Sequence, residues 1–175
     1  MNKIFVFSDI TCDYPKSRMK DNMDILSFSL TLGEDVYDYS TPEIDCSEFY
    51  NRLKSGEKAN TAMLNQFYFE EKLKDVLDKG FDVMYLCFSS ALSGSFAMAD
   101  KVAGEFGVKY PKQKIKVVNS FNASIGEGLL LEYLLKKRDA GAKFDELVEY
   151  TINLVDHVCS YFTVSDLKHL ASLGR

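Results

Sequence analysis

The sequence predicts an α/β fold: a parallel-rich sheet flanked by helices, followed by the start of a second α/β domain. Three observations predict it. Apolar runs of strand length alternate with stretches of helical period along most of the chain, the pattern of an α/β layer fold. The run Asp82–Phe88, DVMYLCF, has no period-two alternation, as expected of a strand buried on both faces of a parallel sheet. A further strand-like run at Cys159–Val164 follows the last long helical segment and points to a new domain. The expected division is residues 1–156 for the first domain and 157–175 for the beginning of a C-terminal domain that is cut short.

Each element has a local reason. Ile4-Phe5-Val6-Phe7 is a β-branched and aromatic run that stops at Ser8-Asp9, and Thr11, Asp13 and Pro15 then favour a polar loop leading into a helix. Ile25–Leu30 alternates with period two, and Gly33-Glu34-Asp35 marks a turn before Val36-Tyr37, which reads as a hairpin. Glu48–Leu53 suits a short helix stopped at Ser55-Gly56, followed by a polar loop carrying Asn60 and Thr61. Asn65 is placed to cap a helix through Leu77, because Phe69, Leu73, Val76 and Leu77 share one face and Lys79-Gly80 ends it. After the buried strand, a helix is expected over about Gly94–Phe106 and a strand at Ile115–Val118. Asn122 is expected to cap a long helix through Leu129–Leu135, and Phe144–Val155 forms another amphipathic one. Ser165 or Asp166 is expected to cap a last helix, and the chain stops at Leu173-Gly174-Arg175. A glycine there normally launches another element, so the chain reads as a fragment.

Composition narrows the function classes. With 175 residues, 46% of them hydrophobic, the chain can bury a sizeable core. A net charge of -5 disfavours nucleic acid, whose phosphates demand clustered Lys and Arg, and the one basic cluster, Lys109–Lys116, reads as a solvated loop. Cys12, Cys46, Cys87 and Cys159 stand apart without C-x-x-C or His spacing, so no metal site, disulfide framework or cofactor is expected and a reducing cytoplasm fits. The amino-terminal apolar run ends at Asp9, short of a signal peptide, and no stretch approaches a membrane span.

The chemistry concentrates in SSALSGSF, Ser89–Phe96, at the end of the most apolar strand. In open parallel sheets ligands sit beyond the carboxyl ends of the strands. Ser89, Ser90, Ser93 and Ser95 crowd that end, Gly94 lets backbone approach a ligand, and the helix starting there directs N–H groups at an anion, a carboxylate or a phosphate. The plainer alternative is that the serines cap the helix and satisfy a turn. A catalytic set is not evident. The loop lacks the first glycine of a G-x-S-x-G elbow, no Gly-Lys-Ser/Thr phosphate loop occurs, and the only candidate bases, His157 and His169, fall in the late segment. Asp9 and Asp13 are spaced like loop carboxylates but offer too few oxygens to hold Mg. An enzyme or binding protein for a small phosphorylated or carboxylated metabolite at the same strand ends stays open.

The order of FSDITCDYP, Phe49-Tyr50, Thr61, SSALSGSF, VVNSFNASIGEG and DLKHLASLGR resembles, from end to end, the DegV family of bacterial fatty-acid-binding proteins. The resemblance implies two α/β domains with a fatty acid between them, its carboxylate bonded by the Thr61 and Ser93 hydroxyls with Gly94 supplying close backbone. It further implies a non-catalytic carrier that presents the acid to a fatty acid kinase, with transient membrane contact during loading. Met63, Leu64, Phe67 and Phe96 are candidate tunnel walls or ordinary core. The chain departs from the family where Thr-Ser-Gln-Pro-Ser becomes Thr61-Ala62-Met63-Leu64-Asn65, where Asp-Ser-Thr becomes Asp9-Ile10-Thr11 and where Gly-Gly-Arg becomes Leu173-Gly174-Arg175.

Overall fold

In the computed structural model, which describes residues 3–41 and 44–163, the unalternating run forms the centre of the molecule. Strand β1 (Ile4–Asp9), β2 (Met23–Leu26), β6 (Asp82–Cys87) and β7 (Ile115–Asn119) make a parallel sheet in the order β2-β1-β6-β7, with Val6 opposite both Met23 and Met84 and Tyr85 opposite Val117. A second sheet, β4-β3-β5, is antiparallel and small: β3 (Leu30–Leu32) pairs with β4 (Asp35–Tyr37) on one side and with β5 (Ala59–Thr61) on the other.

Side-chain alternation along β6 divides the interior in two. Val83, Tyr85 and Cys87 face a core built with α2 (Gln66–Asp78) and α3 (Ser95–Lys109), through Phe69, Leu73, Val76, Ala99, Val102 and Phe106. Met84 and Leu86 face the other core, built with α4 (Ser124–Asp139) and α5 (Phe144–Val155), through Leu130, Leu131, Leu134, Leu135, Phe144 and Leu147. A strand covered on both faces has no polar side to show, which explains its composition. The remaining helix, α1 (Cys46–Lys54), is capped by Asp45 and lies beside the small sheet, where Arg52 binds Glu57, Asp35 and the Leu32 carbonyl.

Five local expectations need correction. Pro15 opens a three-residue 3-10 turn, Lys16–Arg18, rather than a helix, because Met23 re-enters the sheet too soon for a longer one. The alternating run Ile25–Leu30 is divided between β2 and β3, which belong to different sheets, although the β3–β4 hairpin forms as expected. Asn60 and Thr61 lie on strand β5 and not in a loop, since their partners on β3 come from about thirty residues away. Asn122 does not cap α4, whose N-cap is Ala123 without a side-chain bond. The stretch Cys159–Thr163 forms no strand among the described residues. Val164, the Ser165 or Asp166 cap, His169 and Leu173-Gly174-Arg175 lie outside the described residues.

Candidate functional site

With β2 on one side of β1 and β6 on the other, the chain reverses direction across the sheet between β1 and β6, and in sheets of this kind ligands bind at the carboxyl ends of the strands beside such a switch point. The serine loop leaves β6 at this switch point. Leu92 and Ser93 N–H groups donate to the Ser89 carbonyl at 3.0 and 3.1 Å, closing a tight turn before α3. Ser89 and Ser95 are buried, Ser93 is half-buried, and Ser90 and Gly94 are exposed.

The four hydroxyls divide their work. Ser95 Oγ accepts the Leu64 N–H at 3.1 Å and lies 2.9 Å from Ser93 Oγ, which itself accepts the Ser95 N–H at 3.2 Å. Ser90 Oγ accepts from Asn119 Nδ2 at 2.6 Å and so ties the loop to the end of β7. Long-range ties to Asn119 and Leu64 therefore account for Ser90 and Ser95, and the local turn bond is the one Ser93 accepts. When Ser95 Oγ donates to Ser93 Oγ, the sequence Leu64 N–H, Ser95 O–H, Ser93 O–H points one way, and the Ser93 proton remains for a ligand acceptor.

The Thr61 strand runs beside this loop. Ala62 N–H donates to the Ser29 carbonyl at 2.9 Å, Leu64 reaches Ser95, and a Cβ on Gly94 would stand 3.4 Å from Met63 Sδ. Thr61 itself is exposed at the end of β5. Gly94 has an ordinary helical backbone, φ -74°, and room for a methyl, so the fold does not demand glycine there. Of the wall candidates, Leu64 is core, Phe96 packs partly against the core, Met63 is exposed and Phe67 is 79% exposed. Ile10, Phe121 and Ile125, which follow the ends of β1 and β7, are also exposed, the last two at 66% and 81%. The carboxyl edge thus carries a scatter of uncovered apolar side chains around a polar loop.

Beneath the loop lies a feature that the sequence reading missed. Asp9 and Glu127 are both fully buried. Asp9 Oδ2 accepts from Tyr85 Oη at 2.9 Å and from the Phe88 N–H at 3.0 Å, and so holds the base of the serine loop. Thr11 Oγ1 bridges the two acids, with Asp9 Oδ1 on one side and Glu127 Oε2 at 2.9 Å on the other. One hydroxyl has one proton, so both contacts are hydrogen bonds only if a carboxyl supplies a second. Burial pushes Glu127 up to about 9, helped by the nearby Asp9 charge, while Asp9 is raised by burial but opposed by its donors. A proton held on Glu127, which burial raises, completes the bridge: Glu127 donates to Thr11, and Thr11 donates to Asp9. The signal was present: Glu127 stands at helical spacing from Leu130, Leu131 and Leu134, on the buried face of α4.

Other candidates do not join this site. Asp13, exposed, accepts from Ser124 Oγ at 2.6 Å and does not meet Asp9 as a metal ligand. His157 is exposed beyond α5, with Nδ1 2.8 Å from the Asn153 carbonyl. All four cysteines are free, and burial pushes the Cys12 thiol up to about 12 and raises Cys87 as well, which makes both unreactive. In the basic cluster, Lys109 lies over the Phe106 ring and Lys114 pairs with Asp145. Two grooves, of about 520 Å³ between β7 and α5 and about 780 Å³ near Lys3 and Arg138, lie away from the serine loop. Among the described residues no helix is long and apolar enough to cross a membrane.

Comparison with known proteins adds three findings. The family model described as "Uncharacterised protein, DegV family" matches residues 3–175. The DegV domain-containing protein CPE0026 of Clostridium perfringens is 35% identical over all of this chain, which covers 61% of that relative, so the chain spans about three-fifths of its length. Among solved structures, DegV of Bacillus subtilis, described as a fatty acid binding protein, superposes with a TM-score of 0.86 at 21% identity, over 100% of this chain and 61% of that one. A stearic acid-binding protein from Eubacterium ventriosum gives 0.74 at 22% identity, over 86% and 52%. Both share this fold.

Proposed function

The chain belongs to the DegV family, and on that premise we propose that it binds a long-chain fatty acid non-covalently, with the carboxylate held by Thr61, Ser93 and the backbone at Gly94. The observation that carries the proposal is the junction of a free hydroxyl donor with uncovered apolar surface: Ser93 can direct its proton outward, and Met63, Phe121 and Ile125 stand exposed on the same edge. That pairing matches an amphiphile better than a small phosphorylated metabolite, which would want charge rather than hydrocarbon around the loop. The fatty-acid-binding descriptions of the Bacillus and Eubacterium proteins support it.

Magnitudes assign the roles. About a dozen buried methylenes at ~0.8 kcal/mol each give on the order of 10 kcal/mol gross. Two hydroxyl bonds to a carboxylate add roughly 1.5–3 kcal/mol each before ordering costs. The acyl chain supplies affinity and the hydroxyls supply orientation. In this reading residues 1–156 form one wall and 157–175 begin the domain that supplies the other. The protein is a cytoplasmic carrier with no catalytic set, loading at a membrane surface or from solvent and presenting the carboxyl group to a fatty acid kinase.

The test is a binding isotherm for a long-chain fatty acid with wild type and Ser93→Ala of the natural full-length protein. Weakening by about tenfold or more, with unfolding unchanged, is expected from loss of a charge-assisted bond. Equal affinity removes Ser93 from the site.

A further inference from the structure

A line of three oxygens links α4 to the base of the serine loop. Glu127 Oε2 stands 2.9 Å from Thr11 Oγ1, and Thr11 Oγ1 meets Asp9 Oδ1, while the other Asp9 oxygen, Oδ2, accepts the Phe88 N–H at 3.0 Å. Phe88 precedes Ser89, whose carbonyl takes the Leu92 and Ser93 N–H groups that close the turn. From Glu127 to Ser93, each member of the line is bonded to the next or adjoins it in the chain.

Two protons are needed if both contacts on Thr11 are to be hydrogen bonds, and the hydroxyl has one. The second belongs to the pair of acids. Both acids are fully buried, and none of the ion pairs among the described residues includes either of them. The groups that face them are neutral. From β1, Ser8 Oγ donates to the Leu86 carbonyl at 3.1 Å and reaches Glu127 Oε1 at 3.4 Å; from β6, Tyr85 Oη lies 2.9 Å from Asp9 Oδ2. The Tyr85 hydroxyl and the Cys12 and Cys87 thiols keep their protons because burial raises all three. Asp13, on the exposed side, adds another negative charge near Glu127. With the shared proton gone, two like charges lie across one hydroxyl away from water, and one of the two contacts sets oxygen against oxygen.

We propose that Glu127 is a positioning residue for the serine loop, acting through Thr11 and Asp9, and that the one proton the two acids share couples it to the loop. With the proton in place, Asp9 is held by Thr11 on one oxygen and holds Phe88 with the other. Without it, the repulsion is relieved by moving Asp9 away from α4, and the Phe88 bond and the turn that presents Ser93 move with it. The consequence for binding rests on the fatty acid reading of that loop: the carboxylate is held more tightly while the pair carries its proton. A proton retained in the tight form gives affinity that is lost as pH rises through the value for Glu127, about 9.

The test uses the natural full-length protein as wild type, Glu127→Gln and Glu127→Leu. Isotherms for a long-chain fatty acid are taken at pH 7.5 and pH 10, and ¹³C-detected spectra of the ligand-free protein follow the Glu127 carboxyl and the backbone carbonyls of residues 88–93 across the same range. Wild-type affinity should fall about fivefold or more, within the tenfold per pH unit that one proton allows, and affinity in both variants should change less than about twofold. The ionisation of the ligand and of surface lysines persists in the variants and so cancels. In wild type the carbonyls of 88–93 should shift with the midpoint of the Glu127 carboxyl, and in both variants they should stay still. The wild-type titration reports even if a variant fails to fold. Carbonyls that do not follow Glu127, or that follow the same curve in the variants, overturn the coupling, and if Ser93→Ala still weakens binding the fatty acid reading stands. Wild-type affinity that is equal at the two pH values, or the same loss in all three proteins, overturns its consequence for binding. If wild type binds no fatty acid at either pH, the fatty acid reading fails and the carbonyl titration alone decides the coupling.

Discussion

At the scale of single residues, the serine loop and the acid pair below it make separable predictions. Ser93 is the hydroxyl whose proton is left over when Ser95 donates to it, while Ser95 is bound into the fold through Leu64. Ser95→Ala should therefore cost about 1–3 kcal/mol of stability in urea unfolding, since it leaves the buried Leu64 N–H without a partner, whereas Ser93→Ala should cost less. Gly94→Ala meets only Met63 at ordinary contact distance, so its unfolding midpoint should stay near wild type while fatty acid affinity falls; unchanged affinity would remove close backbone approach from the account. Glu127 gives a pH prediction. In the unfolded chain it loses its proton near 4.5, whereas the folded protein holds it to about 9. The folded state thus binds more protons in that window, and stability falls as pH rises through it. Glu127→Gln keeps the shape without the titration, so relative to wild type it should gain stability from about pH 5 to about pH 8, by no more than about 1.4 kcal/mol per pH unit. Parallel stability profiles would contradict the shared proton.

At the scale of elements, the backbone of α4 lies close against the turn after β1. A Cβ on Gly128 would lie 2.5 Å from the Cys12 carbonyl oxygen, which is backbone and cannot swing away. Gly128→Ala should destabilise by about 1–3 kcal/mol in urea unfolding and displace α4; a neutral result would mean that the two elements separate more easily than their packing implies. The elements legible in the sequence were those that carry their own signal: β6 by its unbroken apolar run, α2 by the Asn65 cap and its 3-4 spacing, α3 by Gly94 at its start. Those misread depend on partners distant in sequence. The strand β5 is three residues long and exists because β3 lies beside it, and the division between β2 and β3 is set by two sheets that a period-two pattern cannot tell apart. Asn122 has the composition of a cap, but its bonds go to Val158 and Ser160, more than thirty residues later.

At the scale of the whole molecule, the sequence carried the parallel sheet flanked by helices and the position of the serine loop, because both follow from strand and helix order. It did not carry the Asp9–Thr11–Glu127 bridge, which needs β1 and α4 brought together, nor the Asn119 bond to Ser90 that joins two strand ends. The exposed apolar side chains at the carboxyl edge, Ile10, Met63, Phe121 and Ile125, belong to this scale too. In the proposed carrier they face the acyl chain. The most direct test of the central claim is mass spectrometry of an organic extract from the natural full-length protein after bacterial expression, with Ser93→Ala and Thr61→Ala processed alongside. The account predicts near-stoichiometric long-chain fatty acid from wild type and less from both variants. Wild-type protein that yields no lipid, and takes up none when offered, would contradict it.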